Sequence, residues 1–206
     1  MDILKNLRQI LRDQYDALEE QDAERTGIRE PKPSTGIYDD AKWHYKVGFR
    51  KKVSKEQGAT HIGFFLRWCE ETGLLSEALL RELAEDRKLF ADDLESWSFR
   101  GFVIRRREGL FRQIDLNEIG QAFADVFYTG RKTGFAQAYG TYLENYEEVV
   151  PVLYRLNGRE YYCVKDILVN YEKVKQMLNQ RYQEFLTFIP CDGPAPESTC
   201  ENKKTN

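Results

Sequence analysis

Two histidines, His44 and His61, are the residues of this sequence best suited to acid–base chemistry, and the chain contains no others. Each has apolar or aromatic neighbours, a context typical of a hydrogen-bonded histidine in a protein core. Together with Asp39 or Asp40, they could instead form a hydrolase or nuclease site. No third motif supports that chemistry, so we predict that the chain has no catalytic residues and is not an enzyme.

Other kinds of site leave no signature in the sequence. It contains no dinucleotide-binding G-x-G-x-x-G, no phosphate-binding P-loop, no H-E-x-x-H zinc motif and no G-x-S-x-G nucleophile motif. The four cysteines include no C-x-x-C pair, so a zinc site is not expected. The pairs Asp39–Asp40 and Asp92–Asp93 could bind a divalent cation, but the second pair lacks a loop signature. We therefore predict no metal ligands and no cofactor.

The charged residues form blocks of one sign, although the net charge is only −3. Residues 42–55 and 100–112 are basic, whereas residues 70–95 are acidic. One interpretation is a set of solvated helix faces that pair with one another; the other is a polar docking surface. The basic blocks could also bind phosphates beside aromatic side chains. A sequence pI of about 5.6 argues against nucleic acid as the partner.

The spacing of apolar residues divides the chain into four segments. Residues 1–24 predict an amphipathic helix, because their apolar side chains recur at intervals of three and four. Residues 25–37 are rich in Pro, Gly, Ser and Thr and predict a linker. Residues 38–189 predict a helical core domain, and residues 190–206 predict a disordered tail. A helix on a linker is compatible with a homodimer formed by exchange.

The core domain is predicted to be mainly α, a compact multi-helix domain with one short β-hairpin near residues 152–164. The hairpin rests on an Asn-Gly turn flanked by Val and Tyr. The helix signals are a buried stripe over 59–72 that stops at Gly73, a cap at Ser76, a capping box over 115–118, a stripe over 135–147 and a cap at Asp166.

The sequence shows no pattern of a signal peptide or of a membrane-spanning helix. The first 15 residues are charged throughout, unlike a signal peptide, and no run approaches the ~18 apolar residues that a membrane span needs. We therefore expect a cytoplasmic protein that does not associate with a membrane.

Two motifs resemble an uncharacterised bacterial family. They are YDDA-x-WHY, here residues 38–45, and ATHIG-x-FL-x-W, here residues 59–68. Weaker matches follow at 117–123 and 170–175, so the resemblance covers about residues 38–186. The basic segment 46–52 departs from the family, which is commonly acidic there. We expect the motif residues to be scaffold: Tyr38, Asp39, Asp40, Trp43, His44, Tyr45, His61 and Trp68.

The family that these motifs resemble is associated with polymorphic toxin loci, which implies an immunity-type role. Such a protein binds a cognate toxin, for example a nuclease effector, and covers its active surface. An acidic patch would suit a basic toxin, and we assign it to Glu70, Glu71, Glu85, Asp86, Asp92, Asp93 and Glu95. The alternatives are a nucleic-acid-associated or regulatory binding module and, less favoured, a histidine-dependent hydrolase.

Overall fold

A computed structural model of the chain describes residues 36–44, 55–129, 133–150 and 164–188. The predicted N-terminal helix, nearly all of the linker and the tail lie outside the described residues. So does the predicted hairpin, except for Val164. Ile37, which the sequence placed in the linker, is instead the first residue of a strand.

Helices dominate the described chain, which confirms the predicted mainly helical class. Four short 3-10 segments, Ala41–His44, Lys55–Ala59, Leu94–Ser96 and Gln113–Asp115, connect the longer elements. The α-helices are α1 (Thr60–Glu71), α2 (Glu77–Lys88), α3 (Phe99–Arg107), α4 (Glu118–Phe127), α5 (Gly134–Tyr139), α6 (Tyr142–Val149) and α7 (Leu168–Thr187). No helix in these ranges has both the length and the apolar character needed to cross a bilayer.

The described residues also contain a two-stranded antiparallel sheet that the sequence did not predict. Strand β1 (Ile37–Asp40) pairs with β2 (Leu110–Arg112), with Asp39 opposite Phe111 and Asp40 opposite Leu110. A register irregularity between Ile37 and Asp39 marks a bulge in β1. The two strands are about 70 residues apart, so no local turn signal announces their pairing.

Helix α1 forms the centre of the core. Its side chains are buried around most of the circumference, including Phe65 and Trp68, as expected of a helix enclosed by other elements. It packs chiefly against α3 and α7. The predicted helix over 59–72 and its stop are confirmed, since Gly73 has a φ of +73°, which favours glycine.

Two of the predicted helix starts are wrong and one is confirmed. The Ser76 hydroxyl caps α2 by accepting from the backbone N–H of Leu79 at 3.2 Å. For α4, the cap is Asn117 rather than Asp115, because Asp115 is buried and accepts from Arg112 N at 2.7 Å. At α7 the cap position is Ile167, while the predicted cap, Asp166, forms an ion pair with Arg100 at 3.4 Å.

The predicted single helix over 135–147 is two helices, α5 and α6. Gly140 separates them with a φ of +77°. Thr141 then opens α6 through a capping box, in which its backbone N–H donates to Glu144 Oε2 at 2.7 Å. Tyrosines at helical spacing continue across this break, so periodicity alone could not locate it.

The acidic helix α2 and the basic helix α3 pair with each other. Asp86 bonds to Arg105 at 2.9 Å, and Glu82 bonds to the largely buried Arg107 at 2.9 Å. Arg107 also bonds to Asp115. The interpretation of these two charge blocks as mutually pairing faces is therefore confirmed.

Gly63 allows α1 to approach α3 closely. A β-carbon there would lie 2.7 Å from Arg100 N and 3.0 Å from Arg100 Cα, both backbone atoms. We expect Gly63→Ala to lower the free energy of unfolding by about 1–3 kcal/mol in urea denaturation, because a helix must shift. In Gly134→Ala the added carbon meets only Phe188 Cζ, at 3.7 Å. Equal stabilities of the two variants would contradict this packing.

Candidate functional site

The structure brings Asp39, His44 and His61 together in the interior. Asp39 belongs to β1, His44 ends the 3-10 segment that follows it, and His61 lies in the first turn of α1. The turn after β1 is held by Ala41 N, which donates to the carbonyl of Gly109 at 2.9 Å. These three residues are the ones that the sequence suggested as the alternative hydrolase constellation.

The Asp39 carboxylate is the centre of this cluster. Its Oδ1 is 2.7 Å from His44 Nε2 and accepts from Asp40 N at 2.8 Å. Its Oδ2 is 2.8 Å from His61 Nε2 and accepts from the Tyr128 hydroxyl at 2.8 Å. Because an ionised carboxylate only accepts hydrogen bonds, both Nε2 atoms act as donors in this arrangement.

Burial and charge set the protonation of the cluster. Burial alone would raise the pKa of Asp39, but His61 and His44 hold it well below its usual range. Burial lowers the pKa of His61 despite the opposing effect of Asp39. Burial, with Asp39 adding to it, raises the pKa of Tyr128 well above 10.0. An ionised carboxylate therefore lies beside a neutral imidazole and a neutral phenol.

Tyr128 is the member of the cluster that sequence reasoning missed. It lies at the C-terminal end of α4, 89 residues from Asp39, and carries no local motif. A second tyrosine, Tyr142, fixes the helix backbone by donating to the carbonyl of His61 at 2.8 Å. The rings of His44 and His61 meet edge to face, with centroids 4.8 Å apart.

The remaining motif residues differ from one another in burial and in hydrogen bonding. Tyr38 is half-buried and donates to Asp125 Oδ1 at 2.7 Å, and Trp68 is buried and donates to Asn179 Oδ1 at 2.8 Å. Asp40 accepts from Lys42 N at 2.8 Å. Trp43, however, is 55% exposed, unlike a scaffold residue. Tyr45 lies outside the described residues.

A second candidate site is a surface groove of about 470 Å³, here called the acidic groove. It lies between the C-terminal end of α1, the segment before α3 and the start of α7. The lining residues are Phe64, Arg67, Glu70, Glu71, Arg87, Glu95, Trp97, Ser98, Phe99, Asp166, Ile167 and Leu168. The sequence singled out Glu70, Glu71 and Glu95 but gave no reason to expect the aliphatic residues of α7 beside them.

Ion pairs and cation–π contacts order the walls of the acidic groove. Arg87 makes two 2.7 Å hydrogen bonds to Glu70 and stacks over the Trp97 ring at 4.4 Å. Glu71 bonds to Arg67 at 3.1 Å and to Lys175 at 2.7 Å. The groove is therefore preformed rather than dependent on a ligand for its shape.

The other predicted partner-binding residues lie in different environments. Asp92 and Asp93 are exposed and precede the 3-10 segment Leu94–Ser96. Glu85 is exposed, with one oxygen 3.8 Å from Arg106. Asp86 is fully buried and accepts from Trp97 Nε1 at 2.9 Å as well as from Arg105. Asp86 thus supports the groove from inside and does not belong to an exposed patch.

Removing the Tyr128 hydroxyl tests the buried cluster. Tyr128→Phe deletes a buried donor to an ionised carboxylate, so we expect the free energy of unfolding to fall by about 1.5–3 kcal/mol in chemical denaturation. The matched control is Tyr38→Phe, which removes half-buried bonds to Asp125 and to the carbonyl of Gln121. Because water can replace bonds at a half-buried site, this variant should cost only about 0.5–1 kcal/mol. Similar losses for the two variants would contradict the central place of the Asp39 carboxylate.

Comparison with known proteins places the chain in a family without assigning it an activity. No curated protein matches it, and no solved structure matches it. The sequence profile of a family described as a domain of unknown function, DUF7832, matches residues 37–156. That range begins at β1 and includes both the buried cluster and most of the acidic groove. Since it is more than half of the sequence, the chain belongs to the DUF7832 family.

Proposed function

We propose that this protein is an immunity-type protein, which binds a cognate bacterial toxin and neutralises it by covering its active surface. The observation that carries the proposal is the acidic groove, where three of the predicted partner-binding acids meet exposed aliphatic side chains. The resemblance of the motifs to a family associated with toxin loci supports the class of partner.

The charge of the groove suits a basic partner. Two guanidinium groups face four carboxylates in its lining. Glu70, Glu71 and Asp166 are already paired with cations of the chain, whereas Glu95 has no ion pair among the described residues. Asp92 and Asp93 add exposed negative charge beside it. Such a field speeds association with a positively charged surface, for example that of a nuclease.

Exposed aliphatic residues at the groove supply the apolar contact that binding needs. Ile167, Leu168 and Val169 are consecutive and exposed at the start of α7, and Leu94 is exposed next to Glu95. Interfaces gain most of their affinity from a few well-packed side chains at the centre of a polar rim. An exposed aliphatic cluster of this kind marks an interaction surface.

The basic helix α3 favours a protein partner over nucleic acid. Its arginines already bond to carboxylates of the chain: Arg105 to Asp86 and Arg107 to Glu82 and Asp115. A phosphate would have to compete with these internal pairs. The second basic block, residues 100–112, therefore offers few uncompensated cations to a nucleic acid backbone.

Co-expression tests the function, and two leucines of α7 test the surface. The toxin encoded beside the gene should arrest growth, and co-expression of this chain should restore growth and yield a stable complex.

We expect Leu168→Gln to weaken the complex about 10- to 100-fold in calorimetry, because it removes an apolar anchor. Leu186→Gln, in the last turn of the same helix and 49% exposed against 59% for Leu168, should bind normally.

If the wild-type chain neither restored growth nor formed a complex with the toxin, the proposed function would be overturned. Equal weakening by the Leu168 and Leu186 variants would instead overturn the assignment of the surface, while leaving the function standing.

The charge of the groove has a separate kinetic test. Glu95→Lys places a cation in the acidic groove, so we expect slower association with the toxin and a weaker dependence of the association rate on salt. Glu148→Lys makes the same change at an exposed residue of α6 that does not line the groove. Stopped-flow rates at several salt concentrations measure both variants, and equal slowing would contradict steering by the groove.

A further inference from the structure

The two histidines of the chain converge on one buried carboxylate, although 17 positions separate them in the sequence. His44 and His61 each lie within 2.8 Å of an Asp39 oxygen. Among the residues that the structure describes, this is the one group of three His, Cys, Asp or Glu side chains close enough to share an ion. Its ligand atoms all lie within 4.8 Å of one another.

From this convergence we propose that Asp39, His44 and His61 form a binding site for a divalent transition-metal ion, with Zn²⁺ as the ion that suits it. The site is independent of the proposed toxin-binding function, and none of its three ligands lines the acidic groove. Imidazole nitrogen and carboxylate oxygen are ligands that zinc prefers, and three protein ligands leave a fourth position for water. For zinc to bind, the proton on Nε2 of each histidine must move to Nδ1, so that both rings stay neutral and present an Nε2 lone pair to the ion.

The spacing of the ligand atoms is close to that of a metal site. Bonds of 2.0–2.1 Å at tetrahedral angles separate ligand atoms by about 3.3 Å. The Nε2–oxygen distances here are 2.7 and 2.8 Å, so metal binding requires each Nε2 to move about half an ångström from its carboxylate oxygen. The ligand atoms lie within 4.8 Å of one another, so the more widely separated ones must also approach each other. His44 is the least buried of the three residues, and a small movement of its ring provides that space.

Two hydrogen-bond donors already hold the Asp39 ligand as the outer shell of a metal site does. Tyr128 and the backbone N–H of Asp40 donate to the Asp39 oxygens, which orients the carboxylate. Tyr142 donates to the backbone carbonyl of His61 and so fixes the position of that residue's backbone rather than its ring. Outer-shell bonds of this kind fix ligand orientation and raise metal affinity.

A bound ion would join β1, the 3-10 segment after it and the first turn of α1. The dication would also lie beside the ionised Asp39 carboxylate, which compensates one of its two charges. Binding to the folded state alone stabilises that state. The site therefore predicts that the fold is more stable with zinc than without it.

Zinc binding by the full chain is the direct test. Protein stripped with a chelator and returned to metal-free buffer should bind one equivalent of Zn²⁺ in calorimetry, and its thermal midpoint should rise on addition of the ion. Co²⁺ should give the visible bands of nitrogen and oxygen ligation without a thiolate charge-transfer band. No stoichiometric binding, or no change in the thermal midpoint, would overturn the proposal.

Three variants locate the ion. His44→Gln should abolish stoichiometric binding while circular dichroism shows a folded chain, since His44 is at the edge of the cluster. Tyr128→Phe should keep one equivalent but bind it about 10- to 100-fold more weakly, because Tyr128 only orients a ligand. Cys191→Ser with Cys200→Ser should bind as the wild type does.

Two results with these variants would overturn the proposed metal site, and the test still works if His44→Gln misfolds. Loss of binding in the cysteine double variant would place the ion on thiolates and overturn the proposal. Unchanged binding in a folded His44→Gln variant would do the same. If His44→Gln does not fold, the thiolate band of the Co²⁺ form and the cysteine variant still distinguish the two locations.

Discussion

The ionised carboxylate of Asp39, enclosed in the core, is the constraint on which the arrangement of the described elements depends. An uncompensated buried charge costs several kcal/mol, so this one requires donors at fixed positions. They come from four places: the backbone of Asp40, the 3-10 segment that ends at His44, α1 through His61 and the end of α4 through Tyr128. Satisfying one side chain therefore fixes the relative positions of elements that are distant in sequence.

Helix α1 connects this interior to the surface. Its first turn carries His61, and its last turn carries Glu70 and Glu71 of the acidic groove. At 1.5 Å per residue, His61 and Glu71 are about 15 Å apart along one rigid element. The groove can therefore keep its shape without help from a partner. Under the proposed function, selection for a new partner can alter the exposed leucines and acids while the buried bonds stay unchanged.

Sequence patterns predicted the secondary-structure elements that depend on residues close to one another in the sequence. The stripe of α1, its stop at Gly73 and the Ser76 cap depend on residues within a turn of one another. The pairing of β1 with β2 and the bond from Tyr128 to Asp39 depend on residues 70 to 90 positions apart, which no window can join. Asp86 shows the same limit for the site: its acidic sequence context indicates a surface, but Trp97 and Arg105 enclose it.

The 89-residue separation of Asp39 and Tyr128 has a consequence for folding of the protein during its synthesis on the ribosome. Translation proceeds at about 5–20 residues per second, so Tyr128 leaves the peptidyl-transferase centre roughly 4–18 s after Asp39. Until then, a nascent chain that already contains β1 and α1 lacks both the tyrosine and, for most of that time, the partner strand. The N-terminal half of the domain therefore stays incompletely folded for seconds, without all the donors to Asp39. Chaperones that bind nascent chains can act on it during this time.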